Sequence, residues 1–268
     1  MGEAVDLGKV QETLLIPLYG RARDARRKRS VLHDTRAAEI VDGLDYDFST
    51  FRLPNTHGSV WRAAIFDGFV RDFLADHPDG FVADLGCGLS TRFDRLDNGR
   101  LTWLDMDLAD TIELRRKFVS DTDRYTMRVG SILDTDWYEA IDMSKPVLLL
   151  SEAVLLYFPS EQVTPVLQSI STAFGGALFA FDTAGTLMVQ GQDRSHRDVP
   201  AQFYWACDDP ADLQRYGLTV KESYSFTEPP ADLARGWPLL DRLGNKVVGR
   251  FPMSKTYRFN LFECTPAR

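Results

Sequence analysis

Cysteine is scarce in this chain of 268 residues: it has three, Cys87, Cys207 and Cys264, and they lie far apart. No pair has the Cys-x-x-Cys spacing of a structural zinc site, and no disulfide framework is indicated. Long hydrophobic runs are also missing, since none approaches the roughly 18 residues that a membrane span needs. The N-terminal segment, MGEAVDLGKVQETLL, has acidic residues where a signal peptide would be basic. These absences predict a soluble, cytoplasmic protein without a structural metal.

Positive charge is in deficit, with 31 basic residues against 39 acidic ones and a formal net charge of −8. This balance argues against a broad face that neutralises the phosphates of duplex nucleic acid, so we expect a small-molecule partner. Six of the nine residues from Arg21 to Arg29 are basic, which we interpret as the solvated face of a helix. Oligomeric state cannot be read from the sequence.

The sequence contains neither an internal repeat nor a low-complexity linker, which favours a single domain. We predict a helical cap over residues 1–60 and an α/β core over 61–268. Seven segments of the core have the composition of strands. They are FVADL, LTWLD, YTMRVGSI, the apolar run beginning PVLLL, ALFAF, LTVKESYSF and TYRFNLFECT. With helices between most of them, they predict an open, doubly wound and mostly parallel sheet, a Rossmann-like α/β fold.

Helical patterns fill the intervals between these strands. Ile65, Phe69 and Phe73 recur at every fourth position of residues 60–76, which predicts a helix with one buried face. Further helices are predicted over residues 109–119, over 160–175 with Ser160 as the N-cap, and from Pro210 to Gly217. Residues 185–209 and 227–255 do not fit the alternation, and we expect them to be lid segments over a binding site.

Ligands of doubly wound sheets bind at the carboxyl ends of the strands, so the residues that follow each strand are candidates for the site. Gly86 and Gly88 follow the first core strand and would let a ligand approach bare backbone. Asp105, Asp107 and Asp110 lie at the end of the second strand, about twenty residues beyond the glycines, where a carboxylate binds ribose hydroxyls. The third strand is followed by Gly130-Ser131-Ile132, and the fourth by Ser151-Glu152.

Two classes of nucleoside ligand compete for such a site. A dinucleotide site needs a third glycine in the turn, and Thr91 occupies that position here. S-adenosylmethionine (SAM) lacks a pyrophosphate, and its methionine carboxylate requires an arginine. Arg62, in the helix before the first core strand, is suitably placed for that carboxylate. The pattern therefore favours SAM over NAD as the cofactor.

The same residues resemble a known family. The runs WRAAIFDGFVRDFLADHPDGFVADLGCGLSTRFDRL, WLDMDLADTIELRRKF and LLLSEAVLLYF resemble the leucine carboxyl methyltransferase family, in particular its bacterial branch of polyketide O-methyltransferases. The resemblance covers roughly residues 20–182 and holds only in outline beyond them. It implies a class I SAM-dependent methyltransferase that acts on a carboxyl or phenolic hydroxyl of a small, polyketide-like secondary metabolite.

The resemblance also implies roles for individual residues. Arg62, helped by Arg21 of the cap, would hold the methionine carboxylate. Asp107 would accept both ribose hydroxyls, and Glu152 would lie beside the methionine amino group. Gly86 and Gly88 would pass against methionine and ribose. The family usually has Asp-Leu beside the adenine, where this chain has Ser131-Ile132; either Ser131 or Asp134 could supply the hydrogen bond.

Catalytic groups and acceptor contacts are less well defined by the sequence. Cys87 is interpreted as a small apolar residue of the turn. A carboxylate acceptor needs no base, whereas a phenol would benefit from one, and His33, His57 and His196 could reach an acceptor. His77 is interpreted as a surface residue. Arg194, Arg197, Phe203, Tyr204 and Trp205 are further candidates for acceptor contacts. A protein C-terminal carboxylate as the acceptor, and a non-catalytic SAM-binding or nucleotide-binding module, remain the alternatives.

Overall fold

The computed structural model describes residues 3–4, 11–51, 56–195, 202–237 and 255–265. Its centre is a seven-stranded sheet, as the sequence predicts, flanked by helices. Two short strands, β1 (Glu3–Ala4) and β2 (Leu44–Asp45), precede this sheet in the chain. The strands of the sheet are β3 (Phe81–Leu85), β4 (Thr102–Asp107), β5 (Tyr125–Val129), β6 (Val147–Ser151), β7 (Leu178–Ala184), β8 (Leu218–Ser225) and β9 (Tyr257–Cys264). Their order across the sheet is β5-β4-β3-β6-β7-β9-β8.

The order of the strands places the site. Strands β3 to β7 pair in parallel, and β9 runs antiparallel to both β7 and β8. The chain builds β3, β4 and β5 outward in one direction and then returns to place β6 on the other side of β3. The carboxyl ends of β3 and β6 therefore flank the point where the strand order reverses, which is where such sheets bind ligands.

Burial explains the most apolar strand. All five residues of β6 are buried, as expected for an inner strand that is covered on both faces. The apolar run itself extends beyond the strand, but Glu152 interrupts it and the chain turns there. Leu155–Tyr157 then form a single turn of 3-10 helix.

Eight α-helices lie in the described part of the chain. They are α1 (Leu15–Ala25), α2 (Thr35–Gly43), α3 (Thr56–Asp76), α4 (Arg92–Leu96), α5 (Ala109–Arg115), α6 (Ser160–Ala173), α7 (Thr186–Ser195) and α8 (Ala231–Gly236). Two predictions of helix ends were wrong. Ser160 is the first residue of α6 rather than its N-cap, which is Pro159. The helix that begins at Ala109 ends at Arg115, four residues before the predicted end.

The cap is formed by α1 and α2, which pack on each other over the carboxyl edge of the sheet. Leu15, Leu18 and Ile40 form its own small core together with Leu89 and Leu114 of the α/β part. The Asp34 carboxylate caps α2 by accepting a hydrogen bond of 2.9 Å from the backbone N–H of Ala37. The cap thus shares a core with the loop that follows β3.

The two segments predicted as lids contain helices. Residues 185–209 include α7, and residues 227–255 include α8; residues 196–201 and 238–254 lie outside the described residues. Stacking of Trp237 on Trp61 of α3, with ring centroids 4.3 Å apart, joins the end of α8 to the core. Pro210–Tyr216 form a 3-10 helix rather than an α-helix, and it ends at Gly217 as predicted. None of the described helices is long and apolar enough to cross a membrane.

Candidate active site

A cavity of about 700 Å³ lies at the carboxyl ends of β3, β4 and β6, between the sheet, the cap and α7. Its volume is in the range of small-molecule sites. The structure brings eight predicted residues together in its lining. These are Arg21, Arg62, Gly86, Gly88, Asp107, Ser131, Ile132 and Glu152. The chain positions them from six separate segments between the cap and the turn after β6.

The loop after β3 has room for backbone only. Gly86 adopts a φ of +83°, and a Cβ on it would lie 2.4 Å from Cγ2 of Val154. The backbone N–H groups of Gly86 and Cys87 donate to the carbonyl of Met106 in β4, at 2.8 and 3.0 Å. Any side chain at Gly86 would therefore be strained and would collide with the turn after β6. The glycine is a steric requirement of the site.

Asp107 is held at the end of β4 by that same loop. Its Oδ2 accepts a hydrogen bond of 2.7 Å from the N–H of Gly88, and its Oδ1 accepts one of 2.7 Å from the N–H of Leu108. Burial raises the pKa of Asp107, and the two backbone donors counteract part of that effect. Each carboxylate oxygen can accept a further hydrogen bond, so Asp107 can still receive a pair of ligand hydroxyls.

Arginines satisfy the carbonyl oxygens of this loop. Arg115 of α5 donates to the carbonyls of Gly88 and Ser90, at 2.8 and 2.7 Å. Arg21 of the cap donates to the carbonyl of Leu89 at 2.7 Å and to Asp34 at 3.0 Å. Arg21 therefore lines the cavity, as expected of a residue near the methionine carboxylate, but its guanidinium also fastens the cap to the loop. No sequence pattern had suggested this second contact.

Glu152 lies between two arginines. Its Oε1 accepts a hydrogen bond of 2.7 Å from Nε of Arg62, and its Oε2 accepts one from Arg92. Burial alone would raise the pKa of Glu152, but Arg92 and Arg62 bring that pKa below its ordinary value. The carboxylate is therefore ionised at neutral pH. Because Arg62 uses Nε for this bond, and its two terminal nitrogens have no partner among the described residues, those nitrogens can bind an incoming carboxylate.

Arg92 connects this pair to the core of the protein. It is 2% exposed and donates to Asp67 of α3 and to Asp84 of β3, each at 2.8 Å. The family motif contains Arg92, but the sequence did not indicate a role for it. The partners of Arg92 are distant in the chain, so the motif was the only local feature that pointed to this residue.

Ser131 and Ile132 line the far end of the cavity, beyond Asp107. Ile132 is buried, and the hydroxyl of Ser131 accepts a hydrogen bond of 3.2 Å from the N–H of Leu133. Asp134, the alternative partner for adenine, is exposed and lines a separate surface groove. An apolar side chain and a small hydroxyl therefore define this end of the cavity.

Aromatic rings also line the cavity. Tyr157, Phe203, Phe226 and Tyr257 all face it, and Phe203 lies 5.4 Å from Tyr157 between ring centroids. Gln192 of α7 fixes Phe203 in place, because its side-chain amide accepts from the N–H of Phe203 at 2.8 Å and donates to its carbonyl at 3.1 Å. We call these four rings the aromatic wall.

The predicted acceptor residues are placed differently from one another. Among the side chains that the structure describes, neither Tyr204 nor Trp205 lines the cavity: Tyr204 is 59% exposed, and Trp205 is buried in the core. Their neighbour Phe203 does line it. His196 lies outside the described residues, as do Arg197 and the side chains of Arg194 and His57. His33 and His77 are exposed and do not face the cavity.

Cys87 lines the cavity, but its thiol is not activated as a nucleophile. Burial raises the pKa of its thiol well above the ordinary value, and Sγ contacts the carbonyl of Gly88 at 3.7 Å. The thiol therefore stays protonated and packs as a small apolar group, as the sequence predicts.

Comparison with known structures identifies the fold. The chain covers 100% of a geranyl diphosphate methyltransferase solved with geranyl diphosphate and sinefungin, at a TM-score of 0.53 and 15% identity over 96% of this chain. It covers 96% of a SAM-dependent methyltransferase from Mesorhizobium loti, at a TM-score of 0.51 and 15% identity over 73% of this chain. The fold is that of the class I SAM-dependent methyltransferases.

Sequence comparison gives the family. The model of the leucine carboxyl methyltransferase family matches residues 15–171, and the chain belongs to that family. It is 33% identical to the tetracenomycin polyketide synthesis O-methyltransferase TcmP of Streptomyces glaucescens, over 86% of this chain and 88% of that protein. It is 30% identical to the SAM-dependent methyltransferase dpfgK of Gibberella zeae, over 88% and 91%. The protein is a SAM-dependent methyltransferase, as its strand-end residues predict.

Proposed function

We propose that this protein transfers the methyl group of SAM to an oxygen atom, a carboxylate or a phenolic hydroxyl, of a small, polyketide-like aromatic metabolite. The observation that carries the proposal is that one cavity is lined both by charged side chains and by aromatic rings. Arg62, Glu152 and Asp107 supply the charged side chains, which we call the polar part, and the aromatic wall supplies the rings. A charged donor and a flat acceptor can therefore meet inside a single cavity.

The polar part matches the groups of SAM in kind. Arg62 offers free guanidinium nitrogens for a carboxylate, Glu152 offers an ionised carboxylate for an ammonium group, and Asp107 offers acceptors for two hydroxyls. Gly86 leaves the backbone bare at the centre of this part. We assign these four residues, with Gly88 and Arg21, to the cofactor seat. Ser131 and Ile132 are assigned to the adenine end.

The bound cofactor would supply a methyl group on a sulfonium, which is already a good leaving group. The work left to the protein is to align the acceptor oxygen and to exclude water, and alignment can contribute several kcal/mol. The aromatic wall provides flat apolar surfaces for this purpose, with Phe203 fixed by Gln192. An ionised carboxylate would need no further activation, whereas a phenol would need a base.

Two features favour a small acceptor over a protein C-terminus. Met188 and Gln192 of α7 line the cavity, so this helix covers part of it. In addition, TcmP is an O-methyltransferase of polyketide synthesis, and this chain covers most of its length. A small-molecule acceptor is therefore the proposal that best fits both the cavity and the relatives.

The test has two stages. Calorimetric titration with S-adenosylhomocysteine should show binding to the wild type, and absence of binding would refute the proposal. Incubation with methyl-labelled SAM and paired aromatic acceptors, one with a carboxyl group and one with only phenolic hydroxyls, should then label one of the two. Alkali releases the label from a methyl ester but not from an aryl ether, which identifies the acceptor oxygen. Phe203→Ala should reduce the rate of methyl transfer while leaving the affinity for S-adenosylhomocysteine close to that of the wild type.

A further inference from the structure

The turn after β6 touches both sides of the proposed cofactor seat. Glu152 points between Arg62 and Arg92, and two residues later Val154 packs against Gly86. Between them, Ala153 adopts a φ of +55°, in the left-handed region that side chains adopt only at an energetic cost. The conformation of this one alanine therefore decides where both neighbours lie. Something in the surrounding structure must hold it.

Asp182 of β7 provides that restraint. Its Oδ1 accepts a hydrogen bond of 2.9 Å from the backbone N–H of Ala153, and its Oδ2 accepts one from the hydroxyl of Tyr257. The side chain of Asp182 is fully buried, and the residue is not part of the cavity lining. Asp182 thus acts on the seat through the residues that it holds, and its charge is also close enough to Arg62 to raise the pKa of that guanidinium.

The register of the sheet explains why a side chain is needed at this point. The parallel pairing of β6 with β7 ends at Ser151 and Phe181. Asp182 is one residue beyond that pair, where β6 has already turned away. Its carboxylate accepts a hydrogen bond from the half-buried N–H of Ala153 just past the end of the ladder, so that this donor is satisfied.

We infer that Asp182 is a positioning residue for the methyl donor: its carboxylate holds Ala153 in the left-handed conformation that sets Glu152 against Arg62 and Val154 against Gly86. The inference rests on the proposed cofactor seat. It adds to that seat a residue that touches neither the cofactor nor the cavity. A purely structural role would affect stability alone, whereas this role affects cofactor affinity through a defined turn.

Titration of purified variants with S-adenosylhomocysteine tests the inference. Asp182→Ala should weaken binding by about tenfold or more, because the turn loses its restraint. Asp182→Asn keeps a side-chain oxygen for the N–H of Ala153 and should bind within about threefold of the wild type. Asn260→Ala is the matched control, since Asn260 is equally buried and bonds to Phe181 and Thr183, on the opposite face of β7. It should lose stability without losing affinity.

A second change separates positioning from general damage. Glycine adopts a positive φ without strain, so Ala153→Gly in the Asp182→Ala background should recover about threefold or more of the lost affinity. If Asp182→Ala does not fold, Ala153→Val with Asp182 intact should weaken binding, because a β-branched residue resists this conformation. Wild-type affinity in Asp182→Ala, or a loss that neither asparagine nor Ala153→Gly reverses, would overturn the inference. Undiminished binding by Glu152→Gln would instead overturn the seat on which it rests.

Discussion

The backbone N–H of Gly88 donates a hydrogen bond of 2.7 Å to Oδ2 of Asp107, which ties the loop after β3 to the end of β4. The two strands are neighbours in the sheet, with Leu85 paired to Met106, so the bond extends their ladder beyond the last paired residues. Asp107 therefore shapes the loop as well as presenting acceptors to the cavity.

Asp107→Ala should weaken binding of S-adenosylhomocysteine by about tenfold or more, because the ligand hydroxyls and the N–H of Gly88 lose their acceptor together. Calorimetry gives the affinity, and circular dichroism checks that the fold is intact. Asp110→Ala is the control, since that carboxylate bonds only to the N–H of Thr111 among the contacts described here. Equal effects of the two substitutions would contradict the role of Asp107.

Gly86→Ala should impair both folding stability and cofactor affinity. The new Cβ would meet Val154 at 2.4 Å in addition to the cost of the positive φ. Gly99 has a similar φ of +79°, and a Cβ placed on it would meet no heavy atom of the described residues within 4 Å, apart from its chain neighbours. Gly99→Ala therefore isolates the conformational cost of the positive φ, about 1–2 kcal/mol. Chemical denaturation should show the larger loss of unfolding free energy for Gly86→Ala. Of the two variants, only Gly86→Ala should bind S-adenosylhomocysteine weakly.

Arg92→Met should be among the single substitutions outside the cofactor seat that most reduce the stability of the fold. Among the described residues, it leaves Asp84 without an ion-pair partner, whereas Asp67 keeps Arg95 and Glu152 keeps Arg62. Removing one partner of a buried ion pair costs about 3–5 kcal/mol. The free energy of unfolding, from urea titration, measures this loss. Arg124→Met removes an exposed pair with Asp97 and should leave that free energy unchanged within error.

Residues at strand ends could be located from the sequence because parallel strands convert chain order into spatial position. Gly86 and Glu152 each follow a strand, Asp107 is the last residue of one, and these parallel strands end at one edge. The partners of Arg92 could not be predicted in this way, since long-range ion pairs depend on how side chains pack between α3, β3 and β6. Tyr257 was missed for another reason. It begins an edge-proximal antiparallel strand, β9, whose pattern indicates a strand but not which end of it faces the cavity.

The aromatic residues show the same limit at finer scale. The run Phe203-Tyr204-Trp205 was predicted to contact the acceptor, and its three side chains take different positions. Phe203 lines the cavity because Gln192 bonds to its backbone on both sides. Adjacent residues of an extended segment point in alternate directions, and only tertiary contacts decide which of them faces the ligand.

Asp182 should make the stability of this protein depend on pH in an unusual direction. Burial raises the pKa of Asp182 to about 6, against an ordinary value of 3.8, although Arg62 opposes the effect. Between about pH 7 and pH 4 the folded state therefore binds this proton more readily than the unfolded state, so the contribution of Asp182 to stability rises as the pH falls. The opposite holds for a carboxylate whose pKa folding depresses.

Asp182→Asn removes the titration and keeps the hydrogen-bonding shape, which makes it the reference for this effect. The free energy of unfolding of the wild type minus that of Asp182→Asn should increase by up to about 3 kcal/mol from pH 7 to pH 4. Urea titrations of both proteins at matched ionic strength measure the difference and cancel the other carboxylates. A difference that is flat over this range would show that Asp182 titrates normally, and one that falls with decreasing pH would show that Arg62 dominates over burial at this site.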